Sequence, residues 1–375
     1  MLRRALSSLL CALLLVGSGP LAAEADTVTL VGAGDIASCV STADSATADL
    51  VDGIAGTVFT AGDNAYSDGT ATDFAQCYDP TWGRFRNRTQ PSPGNHDYRT
   101  AGAAGYFGYF GAAAGPAGLG YYAYDLGDWR VYSLNSEVLG STQLDWLKAD
   151  LAANPRACSL AYWHRPLFSS GQHGNDSTVK PFWDALYAAG ADLIINGHDH
   201  DYERFAPQNP SGQADTQFGI RELVVGTGGA ESRAFATIRA NSEARASAVF
   251  GAVVLTLSDT GYSGAFRVTD GSVDDTFSGS CHGAPQVTPP PPPGGFTLTA
   301  SAVGGQVNLS WTAVTGATKY RVQRALATGS FTVLSRQTGT TYTDSTVSAG
   351  TTYRYRIVAV VKPKTVKSNV ATVTP

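Results

Sequence analysis

The chain has 375 residues, a net charge of −5, only 15% charged residues and 42 glycines. This length predicts two domains, each able to bury a core of its own. Lysine and arginine form no cluster beyond the N-terminus, so we expect no duplex nucleic acid as a partner.

The N-terminus has the three parts of a secretory signal peptide. Residues 1–4 include the positively charged Arg3 and Arg4, residues 9–16 are apolar, and Ala23-Glu24-Ala25 has the form of a cleavage site. We predict a signal peptide over residues 1–25, cleaved after Ala25 or Ala23, and a secreted, extracellular protein. The apolar run is too short to cross a bilayer, and no later segment is long enough, so we expect no membrane span.

From Thr27 onward the sequence alternates strand-like and helix-like segments. Predicted strands lie over residues 28–33, 57–61, 121–126, 129–134, 160–163, 193–195, 223–225, 249–257 and 264–268. Predicted helices lie over residues 45–54 and 179–189, and a third is capped by Thr142 and carries Leu144, Leu147 and Leu151 on one stripe. The order strand, helix, strand predicts parallel pairing at the start. Gly127-Asp128 predicts a hairpin, and the last strands, which lack intervening helices, predict antiparallel pairing.

Five consecutive prolines at residues 289–293 predict an extended linker, which we assign to residues 284–295. Residues 296–375 lack a helical period and have the regular turns of a small β-sandwich. This segment resembles a fibronectin type III domain through residues 307–311, 320–324 and 350–357. The resemblance implies that Trp311 and Tyr320 lie in the core and that Tyr353 forms a tyrosine corner.

The cysteines favour disulfides. Cys11 lies within the predicted signal peptide, which leaves Cys39, Cys77, Cys158 and Cys281. An even number in an exported protein favours two bonds, for which three pairings are possible. We favour Cys39–Cys77, because both follow neighbouring strand ends, and Cys158–Cys281, because it would tie the end of the first domain to its body. The wide spacing disfavours a metal-thiolate site.

Polar residues follow five of the strand-like runs. The five motifs are Gly34-Asp35-Ile36-Ala37, Gly62-Asp63-Asn64-Ala65-Tyr66, Gly94-Asn95-His96-Asp97, Ala161-Tyr162-Trp163-His164 and Gly197-His198-Asp199-His200. One Gly-Asp pair usually marks a turn or a helix cap, but five such motifs in this order indicate a site at strand ends. Asp, Asn, His and Tyr suit hard to borderline metal ions, and two ions about 3.5–4 Å apart need a shared carboxylate.

These motifs resemble those of the calcineurin-like metallophosphoesterases, and specifically the purple acid phosphatases, over roughly residues 28–282. The resemblance implies a four-layer αββα fold of the α/β (α+β) class over residues 26–283, followed by an all-β immunoglobulin-like sandwich over residues 296–375. It implies a ferric site formed by Asp35, Tyr66 and His200, a bridging Asp63, and a site for divalent iron, zinc or manganese formed by Asn95, His164 and His198.

Tyr66 separates the purple subfamily from its relatives. The wider superfamily commonly has a histidine two residues after the first aspartate, where this chain has Ala37. Tyr66 can supply the missing ligand, and only a strongly acidic ion such as ferric iron readily deprotonates a phenol with a pKa of about 10. Within the purple acid phosphatase pattern itself, Ala37 stands at the last glycine of GDxG and Ala161 at the valine of VxxH, and neither of these positions is a ligand in that pattern.

The resemblance also assigns two catalytic histidines. His96 is expected to contact the substrate phosphate and to help protonate the leaving oxygen, and His173 is expected to make a second phosphate contact. We expect Asp97, Asp199 and Asp201 either to hold imidazole N–H groups or to be solvated. His282, beside Cys281, is expected to be structural or incidental.

The function implied is a secreted binuclear phosphatase that hydrolyses small-molecule phosphate monoesters by attack of a metal-bound hydroxide. One alternative is a phosphodiesterase or nucleotidase with the same metal centre. A different-class alternative is a surface-binding or adhesion protein that acts mainly through its C-terminal domain, on polysaccharide or another macromolecule. The linker favours the last interpretation, whereas the complete ligand set argues against it.

Overall fold

The computed structural model describes residues 27–283, 296–303, 305–326, 329–361 and 364–375. The predicted signal peptide and the predicted linker lie outside these residues, so both remain predictions. We call residues 27–283 the N-terminal unit and residues 296–375 the C-terminal unit.

The N-terminal unit is built from strands and short helices. Its strands are β1 (Val28–Ala33), β2 (Ala37–Ser38), β3 (Thr57–Ala61), β4 (Ala65–Tyr66), β5 (Thr89–Ser92), β6 (Tyr122–Leu126), β7 (Trp129–Ser133), β8 (Cys158–Tyr162), β9 (Leu193–Asn196), β10 (Tyr202–Phe205), β11 (Arg221–Val225), β12 (Ser242–Ala246), β13 (Gly251–Leu257), β14 (Gly261–Val268) and β15 (Val273–Ser280). Its α-helices are α1 (Ala43–Asp52), α2 (Ala71–Asp73), α3 (Ala104–Phe110), α4 (Ser141–Ala153) and α5 (Lys180–Ala188). Phe74–Tyr78 is π-helical, and 3-10 helices lie at Trp82–Arg88, Asp97–Arg99, Ala101–Ala103, Gly111–Ala114 and Ser177–Val179.

Two sheets pack face to face between helices. Their strand orders are β15-β14-β13-β1-β3-β5 and β12-β10-β11-β9-β8-β7-β6. In the first, β1, β3 and β5 run parallel, and in the second β7, β8, β9 and β11 do. Helix α1 packs on the first sheet, and α4 and α5 cover the outer face of the second. The predicted four-layer αββα fold is confirmed, as is the antiparallel pairing of β13 with β14.

The alternation of side chains in β8 and β9 explains why the sequences of these two strands are continuously apolar. Leu160 and Ile195 face the core between the sheets, whereas Ala161 and Ile194 face the cluster under α4 and α5. Successive side chains point to opposite faces of a strand, so a strand covered on both sides is apolar throughout. Such parallel strands end at one edge of the sheet, which is where loops can converge.

The element predictions were accurate for the central strands and less so elsewhere. The strands at residues 28–33 and 57–61 are confirmed, and so is the hairpin of β6 and β7. The predicted cap at Thr142 is wrong, because α4 already begins at Ser141, follows Gly140 and has no side-chain cap. Leu147 and Leu151 are buried as predicted, whereas Leu144 is only half-buried.

Both predicted disulfides are present. Cys39–Cys77 joins the loop after β2 to the π-helical segment, and Cys158–Cys281 joins the start of β8 to the residue after β15. His282, which was expected to be structural or incidental, contacts Asp192: its Nδ1 lies 3.0 Å from Asp192 Oδ1, and its backbone N–H donates to the same oxygen at 2.7 Å. The second bond therefore fixes the end of the N-terminal unit to a strand that leads to the candidate site.

The C-terminal unit is a two-sheet β-sandwich. Its strands are β16 (Leu298–Val303), β17 (Gln306–Trp311), β18 (Lys319–Leu326), β19 (Thr332–Gln337), β20 (Thr341–Asp344), β21 (Tyr353–Val361) and β22 (Lys364–Val373). They form the sheets β16-β17-β20 and β19-β18-β21-β22. Trp311 and Tyr320 are buried with ring centroids 5.6 Å apart, and the Tyr353 hydroxyl accepts from Ser348 N at 3.1 Å. These contacts match the fibronectin type III expectation.

Candidate metal centre

The five motifs converge because each follows a parallel strand that ends at the same edge of the N-terminal unit. Asp35 follows β1, Asp63 follows β3 and Asn95 follows β5, while His164 follows β8. Strand β9 ends at Asn196, so His198 and His200 lie on a loop. Backbone hydrogen bonds join the loops: Asp35 N donates to Gly62 O at 3.1 Å, and Gly197 N donates to His164 O at 3.0 Å.

One set of donor atoms is centred on the Tyr66 hydroxyl. It lies 2.7 Å from Asp35 Oδ1, 3.1 Å from Asp63 Oδ2 and 3.2 Å from His200 Nε2. His200 Nε2 is itself 3.1 Å from Asp35 Oδ1. A phenol, two carboxylates and an imidazole therefore direct four ligand-type atoms at one point.

A second set is centred on His164 Nε2. This atom lies 3.1 Å from Asn95 Oδ1, 3.2 Å from Asp63 Oδ2 and 3.1 Å from His198 Nδ1. Asp63 Oδ2 therefore belongs to both sets, which is the position expected of a carboxylate shared by two ions.

Because these donor atoms are buried, bringing their charges and lone pairs together is unfavourable in the protein without bound cations. Asp35 and His164 are fully buried, and Asp63 is 1% exposed. Burial opposes the charged form of His164, yet the carboxylates of Asp63 and Asp35 raise its pKa to about 10. Burial, followed by the charge of His164, holds the pKa of His198 far below its usual range. Burial and the two carboxylates raise the pKa of Tyr66. Multivalent cations would offset the carboxylate charge and accept the lone pairs, so the donor set fits a metal centre.

The backbone is also adapted to hold these side chains. Asp35, Asp63 and His198 have φ angles of 60°, 48° and 71°. Residues other than glycine rarely adopt this left-handed backbone conformation. At Gly62 a Cβ atom would lie 2.6 Å from the His164 ring, and at Gly94 it would lie 2.2 Å from Asp63 Oδ1. The motif glycines therefore allow the loops to approach as closely as the site requires.

Residues 33–202 match the family model described as calcineurin-like phosphoesterase. The chain contains a calcineurin-like phosphoesterase domain. Purple acid phosphatase 18 of Arabidopsis thaliana is 33% identical over 116 residues, which are 29% of this chain and 25% of that protein. Acid phosphatase type 7 of Homo sapiens is 27% identical over 178 residues, which are 38% of this chain and 40% of that protein. The chain thus spans less than half the length of these curated relatives.

Solved structures show the same fold. Purple acid phosphatase PPD1 from yellow lupin superposes with a TM-score of 0.53 at 21% identity, covering 70% of this chain and 55% of that chain. The Plasmodium protein GAP50, described as the anchor in the inner membrane complex, superposes with a TM-score of 0.53 at 16% identity and covers 68% of this chain and 89% of that chain. At these identities the likeness establishes the fold of the phosphoesterase domain alone.

The two histidines predicted to be catalytic lie at a pocket over the donor atoms. His96 N donates to Asp63 Oδ1 at 2.7 Å, and its Nδ1 lies 2.6 Å from Ser67 O. The His173 ring stacks on His198 with centroids 4.2 Å apart. The pocket has a volume of about 190 Å³, and its lining residues are Asp63, Asn95, His96, Arg99, His173, His198, His200 and Arg233.

Three charged residues were missed from the sequence: Arg99 and Arg233, which line this pocket, and Glu231, which pairs with Arg233. Arg233 Nη1 donates to His173 Nε2 at 2.7 Å, and the same side chain pairs with Glu231. Glu231 Oε1 lies 3.5 Å from His200 Nδ1. Arg99 could have been noticed, because it lies three positions after His96. Glu231 and Arg233 lie in a segment with no motif and gave no signal.

The expectation for the three motif aspartates needs correction. Asp97 accepts from Gly94 N at 2.9 Å, and Asp199 accepts from His173 N at 2.7 Å, so both hold loop backbone rather than imidazole. Neither they nor Asp201 are solvated, because all three are buried. Burial, with the nearby charge of Asp199, raises the pKa of Asp201 to about 8. The packing of the loops buries these positions, which the sequence pattern does not reveal.

Proposed function

We propose that the phosphoesterase domain is a binuclear metal-dependent phosphatase that hydrolyses phosphate monoesters in the manner of purple acid phosphatases. Asp35, Tyr66 and His200 would hold a ferric ion, Asn95, His164 and His198 would hold divalent iron, zinc or manganese, and Asp63 would hold both. The supporting observation is that Asp63 Oδ2 lies 3.1 Å from Tyr66 Oη and 3.2 Å from His164 Nε2. When bound, the two ions supply positive charge for the phosphate and acidify water to make a nucleophile.

His96 is placed to assist the leaving group. Its Nδ1 donates to the Ser67 carbonyl at 2.6 Å, so that nitrogen keeps its proton and the ring is fixed. The ring also packs on Tyr66 at 4.3 Å between centroids. The other nitrogen, Nε2, lies 3.9 Å from Asp63 Oδ2; in the doubly protonated ring it would carry the proton that passes to the departing alkoxide. His173 would contact the phosphate from the side of His198.

The substrate preference tests this proposal. We expect the metal-loaded protein to hydrolyse 4-nitrophenyl phosphate with a kcat/KM at least about tenfold above that for bis(4-nitrophenyl) phosphate. The reason is that a monoester offers three non-bridging phosphate oxygens to the two proposed ions and to His96 and His173, whereas a diester offers two. Steady-state kinetics on both substrates, with a chelated sample as the control, provide the measurement. An equal or higher rate on the diester would favour the phosphodiesterase or nucleotidase alternative.

We propose that the protein acts outside the cytoplasm. The two disulfides support this proposal, because such bonds persist in oxidising compartments. In the part of the chain that the structure describes, no helix has the length and hydrophobicity needed to cross a membrane.

We also propose that the C-terminal unit contacts polysaccharide and takes no part in the chemistry. Support comes from the outer face of the β16-β17-β20 sheet, where hydroxyl and amide groups border a shallow pocket of about 280 Å³. Its exposed polar side chains are Thr299, Ser301, Asn308, Ser310, Thr341 and Thr343. The unit has a hydrophobic core of its own, centred on Trp311 and Tyr355.

Deletion of residues 296–375 should separate the two activities. We expect kcat/KM for 4-nitrophenyl phosphate to stay within about twofold of the full chain, because every proposed ligand lies in the N-terminal unit. Retention on insoluble cellulose or chitin in a pull-down should fall. Loss of turnover from a deletion variant that retains its metals and its circular dichroism spectrum would show that the C-terminal unit contributes to the catalytic site.

A further inference from the structure

Arg233 is held at the pocket by contacts on three sides. Its Nε donates to Glu231 Oε1 at 2.8 Å, its Nη2 donates to the same oxygen, and its Nη1 donates to His173 Nε2 at 2.7 Å. Its backbone N–H donates to His200 O at 2.9 Å. The side chain is 28% exposed, so it is fixed in place yet still open to the pocket.

The guanidinium group retains unused donors. It carries five N–H bonds in a planar fork, and three of them are directed to Glu231 and His173. One N–H on Nη1 and one on Nη2 have no hydrogen-bond partner among the residues that the structure describes. An arginine keeps its charge at any working pH, and its fork matches the oxygens of a phosphate.

The neighbours of Arg233 place it beside the proposed metal ligands. His173, which accepts from it, stacks on His198 at 4.2 Å between centroids. Glu231, which fixes its other edge, lies 3.5 Å from His200 Nδ1. Arg233 is thus separated by a single side chain from each of the two donor sets. An exposed ion pair with Glu231 adds little to stability, so stability alone does not account for this position.

We propose that Arg233 is a catalytic residue that binds the phosphate group of the substrate through its two free N–H groups. This inference rests on the proposed phosphatase function. It adds a residue whose permanent positive charge lies beside the substrate phosphate. His173 then serves to hold the guanidinium in place, in addition to any phosphate contact of its own.

Arg233→Gln tests the proposal in the full-length, metal-loaded protein. We expect the Kd for inorganic phosphate, measured by calorimetry, to rise about 10- to 100-fold, and kcat/KM for 4-nitrophenyl phosphate to fall by a similar factor. The metal content should be unchanged. Arg156→Gln is the matched control, because it removes the same charge from an exposed side chain far from the pocket. Arg156 lies just before the first residue of β8, whereas the proposed ligand His164 follows the last residue of that strand. That variant should bind phosphate like the wild type.

Chemical rescue separates substrate contact from a purely structural role. Arg233→Ala should regain at least several-fold activity when guanidinium chloride is added at low millimolar concentration, and sodium chloride should have no such effect. Arg233→Lys, which keeps the charge but loses the fork, should fall between wild type and Arg233→Gln. Unchanged phosphate affinity in Arg233→Gln, absence of rescue, or loss of metal from the variant would each overturn the proposal. A wild-type protein that hydrolyses no phosphate ester would instead refute the proposed function.

Discussion

Asp63→Asn should lower kcat by about a thousandfold or more and reduce the content of both metals. Asp63 Oδ2 is the atom that belongs to both donor sets, 3.1 Å from Tyr66 Oη and 3.2 Å from His164 Nε2. An amide has nearly the same shape but lacks the negative charge that offsets the repulsion between two cations. Its NH₂ group would also direct protons at one of the sites.

The second carboxylate oxygen makes this substitution specific to the site. Asp63 Oδ1 accepts from His96 N at 2.7 Å, and the Asn95-His96 loop can keep that contact if the amide oxygen takes this position. The fold should therefore persist while metal binding fails. Elemental analysis and steady-state turnover provide the measurement. Asp49→Asn is the control, because its side chain is 73% exposed and pairs only with Arg84 among the described residues. Unchanged metal content and turnover in Asp63→Asn would refute the bridging role.

The convergence of the site could be predicted from the sequence because it depends on the strand ends. Parallel strands buried on both faces give unbroken apolar runs, and the residue after each run is fixed within one or two positions. This is why Asp35, Asp63 and His164 were placed correctly beside β1, β3 and β8. The distances between the loops could not be predicted from the spacing of the motifs along the sequence. These depend on close backbone contacts such as that of Gly62 with His164.

Strands β12 and β15, which lie at sheet edges, and strand β10 were not predicted, because their sequences have no apolar alternation. Strand β15 is largely exposed, and β12 alternates between exposed and half-buried residues. Strand β10 contains Glu203, which is fully buried and accepts from Ser170 Oγ, and Arg204, which pairs with Asp275 at 2.6 Å. Residues 202–205 form a strand all the same, because charged residues can occupy a sheet when tertiary partners satisfy them.

Glu231 and Arg233 illustrate a different limit. Arg233 reaches the pocket, with Glu231 paired to it, because the loop beyond β11 is held against the first motif, where Gly228 N donates to Gly34 O at 2.9 Å. No local pattern marks such a crossing. A residue whose role depends on a long-range loop contact can be recognised only from the three-dimensional structure.

Tyr66→Phe should abolish the visible absorption of the oxidised protein. Because a tyrosinate bound to ferric iron absorbs visible light through charge transfer, we expect the wild type to be coloured and the variant to be colourless. The Tyr66 hydroxyl lies 2.7 Å from Asp35 Oδ1 and 3.2 Å from His200 Nε2, so it is placed within the proposed ferric site. Its own surroundings raise the pKa of the phenol, first through burial and then through the charges of Asp35 and Asp63. Only a strongly acidic ion can displace that proton.

The control for this prediction is Tyr98→Phe. Tyr98 is half-buried on the neighbouring loop, and its hydroxyl accepts from Asn135 Nδ2 at 2.8 Å rather than contacting any proposed ligand. That variant should keep both its colour and its iron. Absorption spectra recorded with elemental analysis of the same samples make the test quantitative, since the loss of the band in Tyr66→Phe must be compared per bound iron. A wild-type protein that is active and colourless, with zinc or manganese as its only metals, would contradict the ferric assignment. It would leave Tyr66 as a half-buried tyrosine beside a different pair of ions.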